Sequence, residues 1–164
     1  MPNISEKCSR SALKASFCQA GGKKIRSFKK RETYSKIKTD FHIENYLQSV
    51  QNKSFITHTT KLRIGAHCLE IEKGRHRNVP ANQRLCPTCK ENVEDEYHFL
   101  MECPTYKDER VKLMQTIKGK TNVTLPQSKT ETFRVLMSCP ETISVYLGQY
   151  IYTSMQKRIR EIAI

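Results

Sequence analysis

Residues 85–104 have the sequence LCPTCKENVEDEYHFLMECP, which places three cysteines and one histidine at the spacing C-x2-C-x8-H-x4-C. A turn between the first two cysteines can offer backbone N–H groups to both sulfurs. His98 and Cys103 converge on the same point if a helix joins them and ends near the last thiol. Three thiolates and one imidazole close a tetrahedron around Zn²⁺ and leave no open position for a substrate water. The predicted ligands of this structural zinc site are Cys86, Cys89, His98 and Cys103.

The knuckle, as residues 85–104 are called below, is itself acidic. Residues 86–104 hold five carboxylates and one lysine, and three thiolates on a divalent ion add a formal excess of one negative charge. The knuckle is therefore predicted to be a poor phosphate binder, with any nucleic acid lying on its basic flanks. Apolar residues within it can build a small layer around the ion: Leu85, Val93, Tyr97, Phe99 and Leu100.

The chain as a whole is strongly basic. Its 164 residues carry 29 Lys and Arg against 16 Asp and Glu, a formal net charge of +13. This balance favours a polyanionic partner, most commonly nucleic acid. Eleven of the basic residues lie in 1–40, and residues 1–38 are predicted to form a disordered basic tail. The basic run at 23–31 has the spacing of a nuclear localisation signal, although a solvated tail explains it equally well.

Composition also excludes several classes of protein. No apolar run approaches the ~20 residues that a membrane-spanning helix needs, and no apolar segment near the N-terminus is typical of a signal peptide. We therefore expect an intracellular protein, nuclear or cytoplasmic, without a membrane partner or a small-molecule substrate. The seven cysteines are an odd number, and reducing compartments keep thiols free, so a metal is favoured over disulfides.

The remaining pattern predicts a mainly α fold of several short helices stapled by the knuckle. Phe55, Leu62 and Leu69 recur every seven residues and predict one amphipathic helix over about 54–72, with Gly74 as its C-cap. Further helices are predicted over about 40–50, 105–118 and 131–138, and from residue 141 onward with Ile143, Tyr146, Leu147, Tyr150 and Ile151 on one face. The predicted domains are the tail 1–38, a helical zinc-binding domain 39–155, and a basic end 156–164.

Residues 61–76, KLRIGAHCLEIEKGRH, together with Arg84 to Cys86 and residues 93–104, VEDEYHFLMECP, resemble a known family. This is the zinc-binding region that follows the reverse transcriptase domain of non-LTR retrotransposons. The resemblance covers about 40–155 and is specific for 61–104. It implies zinc on the four ligands of the knuckle and a role in holding template RNA or target DNA beside the polymerase. It also implies that a reverse transcriptase polypeptide is a partner.

Catalysis is not expected from this chain. A polymerase needs paired aspartates for Mg²⁺, and the three aspartates, at 40, 95 and 108, include no adjacent pair. The predicted function is a zinc-stabilised nucleic-acid-binding module derived from a retrotransposon. The alternative is a structural module whose apolar faces dock on a protein. The sequence does not indicate whether the nucleic acid is RNA or DNA. The predicted phosphate contacts are Lys61, Arg63, Lys73, Arg75, Arg77 and Arg84.

His67, Cys68 and His76 lie upstream of the knuckle and raise the question of a second metal site. The two histidines are nine residues apart without a matching pair of ligands. Ordinary helix-surface imidazoles are the favoured interpretation, with assistance to the metal site as the alternative. Cys68 is interpreted as a small buried apolar residue.

Overall fold

The computed structural model describes residues 43–163, so the predicted tail 1–38 and the start of the helix predicted over about 40–50 lie outside the described residues. The described part is mainly helical, as predicted. Its only β pairing is an isolated antiparallel bridge between Leu85 and Val93. The α-helices are α1 (Tyr46–Ser49), α2 (Lys53–Arg63), α3 (Glu70–His76), α4 (Lys107–Lys120), α5 (Lys129–Ser138) and α6 (Glu141–Ile162). Short 3₁₀ turns occupy Ala81–Gln83 and Pro104–Tyr106, and a π-helical turn occupies His98–Glu102.

The long helix α6 forms the centre of the fold and packs against α1, α2 and α4. Its predicted apolar face is confirmed, since all but one of those side chains are buried and Tyr146 is half-buried. The helix runs without a break through residues 156–162, so no structural boundary exists at residue 155. At Gly148 a β-carbon would come within 2.8 Å of Phe55 Cβ. The missing side chain is therefore what lets α2 and α6 approach so closely.

The single helix predicted over 54–72 is wrong, because α2 ends at Arg63 and a separate helix, α3, begins at Glu70. Gly65 has a φ of 66° and ends α2 in a Schellman motif. In this motif the Ala66 N–H donates to the Lys61 carbonyl at 2.8 Å, and the Gly65 N–H donates to the Leu62 carbonyl at 3.3 Å. The glycine allows the left-handed conformation that such an ending requires. The chain then turns before it enters the knuckle region.

The predicted C-cap at Gly74 is also wrong. Gly74 lies inside α3 and is buried, with the Arg84 side chain at 2.6 Å from the position of a β-carbon. The residue that ends α3 is Asn78, with a φ of 57°, and the Val79 N–H donates to the Gly74 carbonyl at 2.8 Å. The connector that follows contains the 3₁₀ turn at Ala81–Gln83.

The helices predicted over about 105–118, over 131–138 and from residue 141 onward are close to α4, α5 and α6. The helix predicted over about 40–50 is shorter, because only Tyr46–Ser49 is helical within the described part of that range. Val50 is buried, whereas Leu47 is 43% exposed. Before α6 the chain turns at Cys139, which has a φ of 52° and is followed by Pro140. Within residues 43–163, no helix combines the length and the apolar character that crossing a bilayer requires.

Candidate metal centre

The first half of the knuckle is a tight turn that holds two cysteines. The Lys90 N–H donates to the Cys86 carbonyl at 2.8 Å, and Lys90 has a φ of 62°. The Cys86 N–H donates to the Asn92 carbonyl at 2.8 Å, beside the bridge between Leu85 and Val93. This local pairing points the sulfurs of Cys86 and Cys89 toward the second half of the knuckle.

The second half is the π-helical turn His98–Glu102. The Asp95 carboxylate accepts a hydrogen bond from the His98 N–H at 2.7 Å. The Cys103 N–H donates to the His98 carbonyl at 2.8 Å, which is the wide i→i+5 bond of a π helix. The helix that joins His98 to Cys103 and ends at the last thiol is therefore confirmed, although it is a π turn.

Side chains from the two long helices bind the free carbonyls of this π turn. Arg110 from α4 donates from Nε to the Leu100 carbonyl at 2.8 Å and from Nη2 to the Cys103 carbonyl at 2.6 Å. Tyr150 from α6 donates to the Phe99 carbonyl at 3.1 Å. Carbonyls at a helix end need such partners when they are buried. The π turn is thus fixed to the core of the fold.

The four predicted ligand residues converge on one point, with their ligand atoms all within 4.8 Å of one another. Cys86 Sγ and Cys103 Sγ are 3.9 Å apart, and Cys89 Sγ is 3.3 Å from His98 Nε2. Tetrahedral zinc, with Zn–S of about 2.3 Å and Zn–N of about 2.0 Å, requires edges of roughly 3.8 Å and 3.5 Å. Cys86 and Cys103 are fully buried. These residues fit a tetrahedral metal ion, and the cluster can hold one.

Electrostatics within the cluster already favour one negative sulfur. The Cys103 thiol donates to Cys86, which lowers the pKa of Cys86 to about 2 and raises the pKa of Cys103. A hydrogen bond with Cys86 also raises the pKa of His98. A metal ion needs deprotonated thiols and a neutral imidazole, so its binding here releases protons and weakens as the pH falls.

A buried ion pair lies directly behind the cluster, and sequence reasoning missed it. Glu94 is fully buried and accepts two hydrogen bonds from Arg158 of α6, each at 2.6 Å. Glu94 also accepts the Glu70 N–H at the start of α3 at 2.7 Å, and its Oε1 lies 3.7 Å from Cys86 Sγ. This one carboxylate therefore joins the knuckle, α3 and α6. Both members of the pair lie in stretches of like charge that indicate a solvated surface, and nothing local in the sequence marks them as buried.

The six predicted phosphate contacts fall into different environments. Arg63 is 2% exposed, donates to the Met137 carbonyl at 2.8 Å and pairs with Glu44 at 2.9 Å. Such a buried guanidinium cannot reach a phosphate, so Arg63 is removed from the predicted set. Arg84 is half-buried and donates to the Val79 and Ile71 carbonyls.

The other four predicted contacts lie at or near the surface. Arg75 pairs with Glu72 at 2.6 Å, and Arg77 pairs with Glu70. Their charge is therefore partly neutralised within their own helix. Lys61 and Lys73 are exposed. These two lysines are the members of the set most accessible to a polyanion.

The residues considered for a second metal site do not form one among the described residues, where the only group able to hold a metal is the cluster of the knuckle. The helix-surface interpretation is wrong for His67, which lies between α2 and α3 with its side chain 2% exposed and its Nε2 3.0 Å from Glu96 Oε1. Cys68 is half-buried, with its sulfur 3.8 Å from that of Met155. His76 lies at the end of α3 and is exposed, as the interpretation of a helix-surface imidazole expects. The interpretation of Cys68 as a packing residue therefore agrees with its surroundings.

Comparison with known proteins found no match to this chain among family models, curated proteins or solved structures. Fold and site together define a mainly helical protein with a buried Cys₃His cluster that can hold a metal ion.

Proposed function

We propose that this chain is a zinc-stabilised nucleic-acid-binding module in which the metal supports the fold. The observation that carries the proposal is the closed set of four ligand atoms, all within 4.8 Å of one another. A catalytic zinc normally has three protein ligands and one open position. Three thiolates with one imidazole suit Zn²⁺ because thiolates are soft ligands. The metal therefore holds the knuckle to the helices, and its proposed role is structural.

The partner is inferred from charge. The formal net charge of +13 favours a polyanion. Several carboxylates that could repel phosphates are engaged internally, as Glu94 is by Arg158 and Glu70 is by Arg77. Lys61 and Lys73 remain exposed, and we place the first phosphate contacts there. The resemblance to the region that follows reverse transcriptases of non-LTR retrotransposons supports the same proposal.

The test is a fluorescence anisotropy titration of the full chain against labelled RNA and DNA at several salt concentrations. We expect affinity to fall steeply with salt and to be lost after chelation of the metal. The double variant Lys61→Ala, Lys73→Ala should flatten the plot of log affinity against log salt by about 1.4 on single strands or about 1.8 on duplex DNA. Lys53→Ala, Lys107→Ala removes two other exposed lysines and serves as the charge-matched control. Absence of any salt-dependent binding would refute the proposal.

A second candidate function is a protein-docking module, and one observation favours it. Ile159 is 53% exposed and Ile162 is 43% exposed, both in the last turns of α6. Exposed isoleucines on one helix end are typical of a contact surface. Association with a reverse transcriptase polypeptide that is insensitive to salt and lost in Ile159→Asp would support this alternative over nucleic acid binding.

A further inference from the structure

The structure has a groove with a volume of about 610 Å³ that borders the π turn at Met101. It is bounded by the π turn, α4, the loop 121–128 and the start of α5. Its apolar lining includes Met101, Met114, Val123 and Leu125, and each of these side chains is buried or half-buried. They therefore form a floor. A groove of this size falls within the range of about 300–1,000 Å³ that holds small organic groups.

The charges at the groove are of one sign. Its charged lining residues are Lys118 and Lys129, both exposed, and no carboxylate lines it. The rest of the lining is threonine, asparagine, glutamine and proline. A second groove, of about 480 Å³ between α4 and α6, is lined by Glu109 as well as Lys112. Of these two grooves, the first alone has the charge complement of an anion.

We infer that this groove receives one nucleotide of a single-stranded nucleic acid, with the base over the apolar floor and adjacent phosphates on Lys118 and Lys129. The inference rests on the proposed function and assigns a site to it. A base enters such a concavity only when it is unstacked, so a single strand fits and a duplex meets the rim alone. A polyglutamate peptide could satisfy the lysines but has no flat apolar group for the floor.

Met101 ties the groove to the metal. It lies in the π turn between His98 and Cys103, is 6% exposed and contributes to the floor. The position of the floor is therefore set by the same turn that presents two of the metal ligands. This arrangement places a nucleotide site on an element that the metal holds rigid.

The experiment uses the zinc-loaded full chain and a short fluorescein-labelled oligouridylate, followed by anisotropy at several salt concentrations. Lys118→Ala, Lys129→Ala should flatten the salt dependence by about 1.4 in slope, because each phosphate that a lysine neutralises on a single strand adds about 0.7. Val123→Asn removes apolar surface from the floor without changing charge, so it should weaken binding while leaving the slope unchanged. Lys53→Ala, Lys107→Ala is again the control. Circular dichroism verifies that each variant is folded.

Four outcomes distinguish this inference from the proposed function. Weaker single-strand binding in both groove variants, with the control unchanged, supports the inference. Binding that persists in both groove variants but depends on Lys61 and Lys73 overturns the inference and leaves the proposed function standing. Absence of binding to any oligonucleotide overturns both. If Lys118→Ala, Lys129→Ala weakens the binding of a matched duplex, or of a polyglutamate peptide, as much as that of the single strand, no base enters the groove. That result overturns the inference.

Discussion

Arg158→Met removes the cation from the buried pair behind the metal cluster. The Arg158 side chain is 2% exposed and that of Glu94 is fully buried, so solvent screens the loss very little. Removing one member of a buried ion pair typically costs about 3–5 kcal/mol of folding free energy. Glu94 keeps a hydrogen bond from the Glu70 N–H at 2.7 Å, which favours the lower end. We expect a loss of about 3 kcal/mol, a large part of the stability of an ordinary domain.

The assay is urea unfolding of the zinc-loaded protein, followed by far-ultraviolet circular dichroism. Lys157→Met is the matched control, because Lys157 also lies on α6 but its side chain is 28% exposed and pairs with Glu109 at 3.1 Å. Such surface pairs contribute at most about 1 kcal/mol. The double variant Arg158→Met, Glu94→Leu should recover part of the loss, because no buried charge is then left unpaired. Equal losses in Arg158→Met and Lys157→Met would show that the pair does not hold the knuckle to α6.

Three further predictions concern the metal, the helix contact and an alkaline transition. Purified protein should contain one zinc per chain by elemental analysis, and Cys89→Ser should lower this content and reduce amide protection in both the knuckle and α6. Gly148→Ala should lower the free energy of unfolding by about 1–3 kcal/mol through its clash with Phe55, whereas Gly119→Ala, with nothing within 4 Å, should gain about 0.5–1 kcal/mol by chemical denaturation. Burial raises the pKa of Tyr150 from 10.0 to about 12. The unfolded chain therefore loses this proton first, and the free energy of unfolding falls as the pH rises through that interval. An absorbance titration between these two pH values should find fewer phenolates in the folded protein than in the unfolded protein.

The sequence predicted which four side chains converge in the knuckle, because the information is local. Four ligands lie within one short segment, and spacing alone states which side chains can meet. The helix prediction over 54–72 failed for the opposite reason. Phe55, Leu62 and Leu69 keep the same seven-residue spacing whether the chain continues as one helix or breaks between the last two. Gly65 was the signal for the break, since glycine is the usual residue at a left-handed helix end.

The buried charges could not be predicted from the sequence in the same way. Arg63 lies in a basic stretch and Glu94 in an acidic one, and both look like ordinary solvated charges. Their partners are distant in the chain: Arg63 donates to the Met137 carbonyl, and Glu94 pairs with Arg158. Pairing over such separations depends on how the helices pack, which residue spacing does not encode. The exposed cations of a basic chain can therefore be identified only after the buried ones have been placed.

The π turn has a consequence for how the length of the knuckle can change. In an α-helix, with about 3.6 residues per turn, residues five apart differ by about 140° and face different directions. The wider i→i+5 turn brings the side chains of His98 and Cys103 to the same side in spite of this five-residue separation. Loss of one residue from 99–102 would allow an α-helical turn, in which residues four apart differ by only about 40°. Gain of one residue would separate the ligands by about 240° in an α-helix. A metal ion held by this cluster would therefore tolerate a change of length at this point in one direction only, toward the shorter segment.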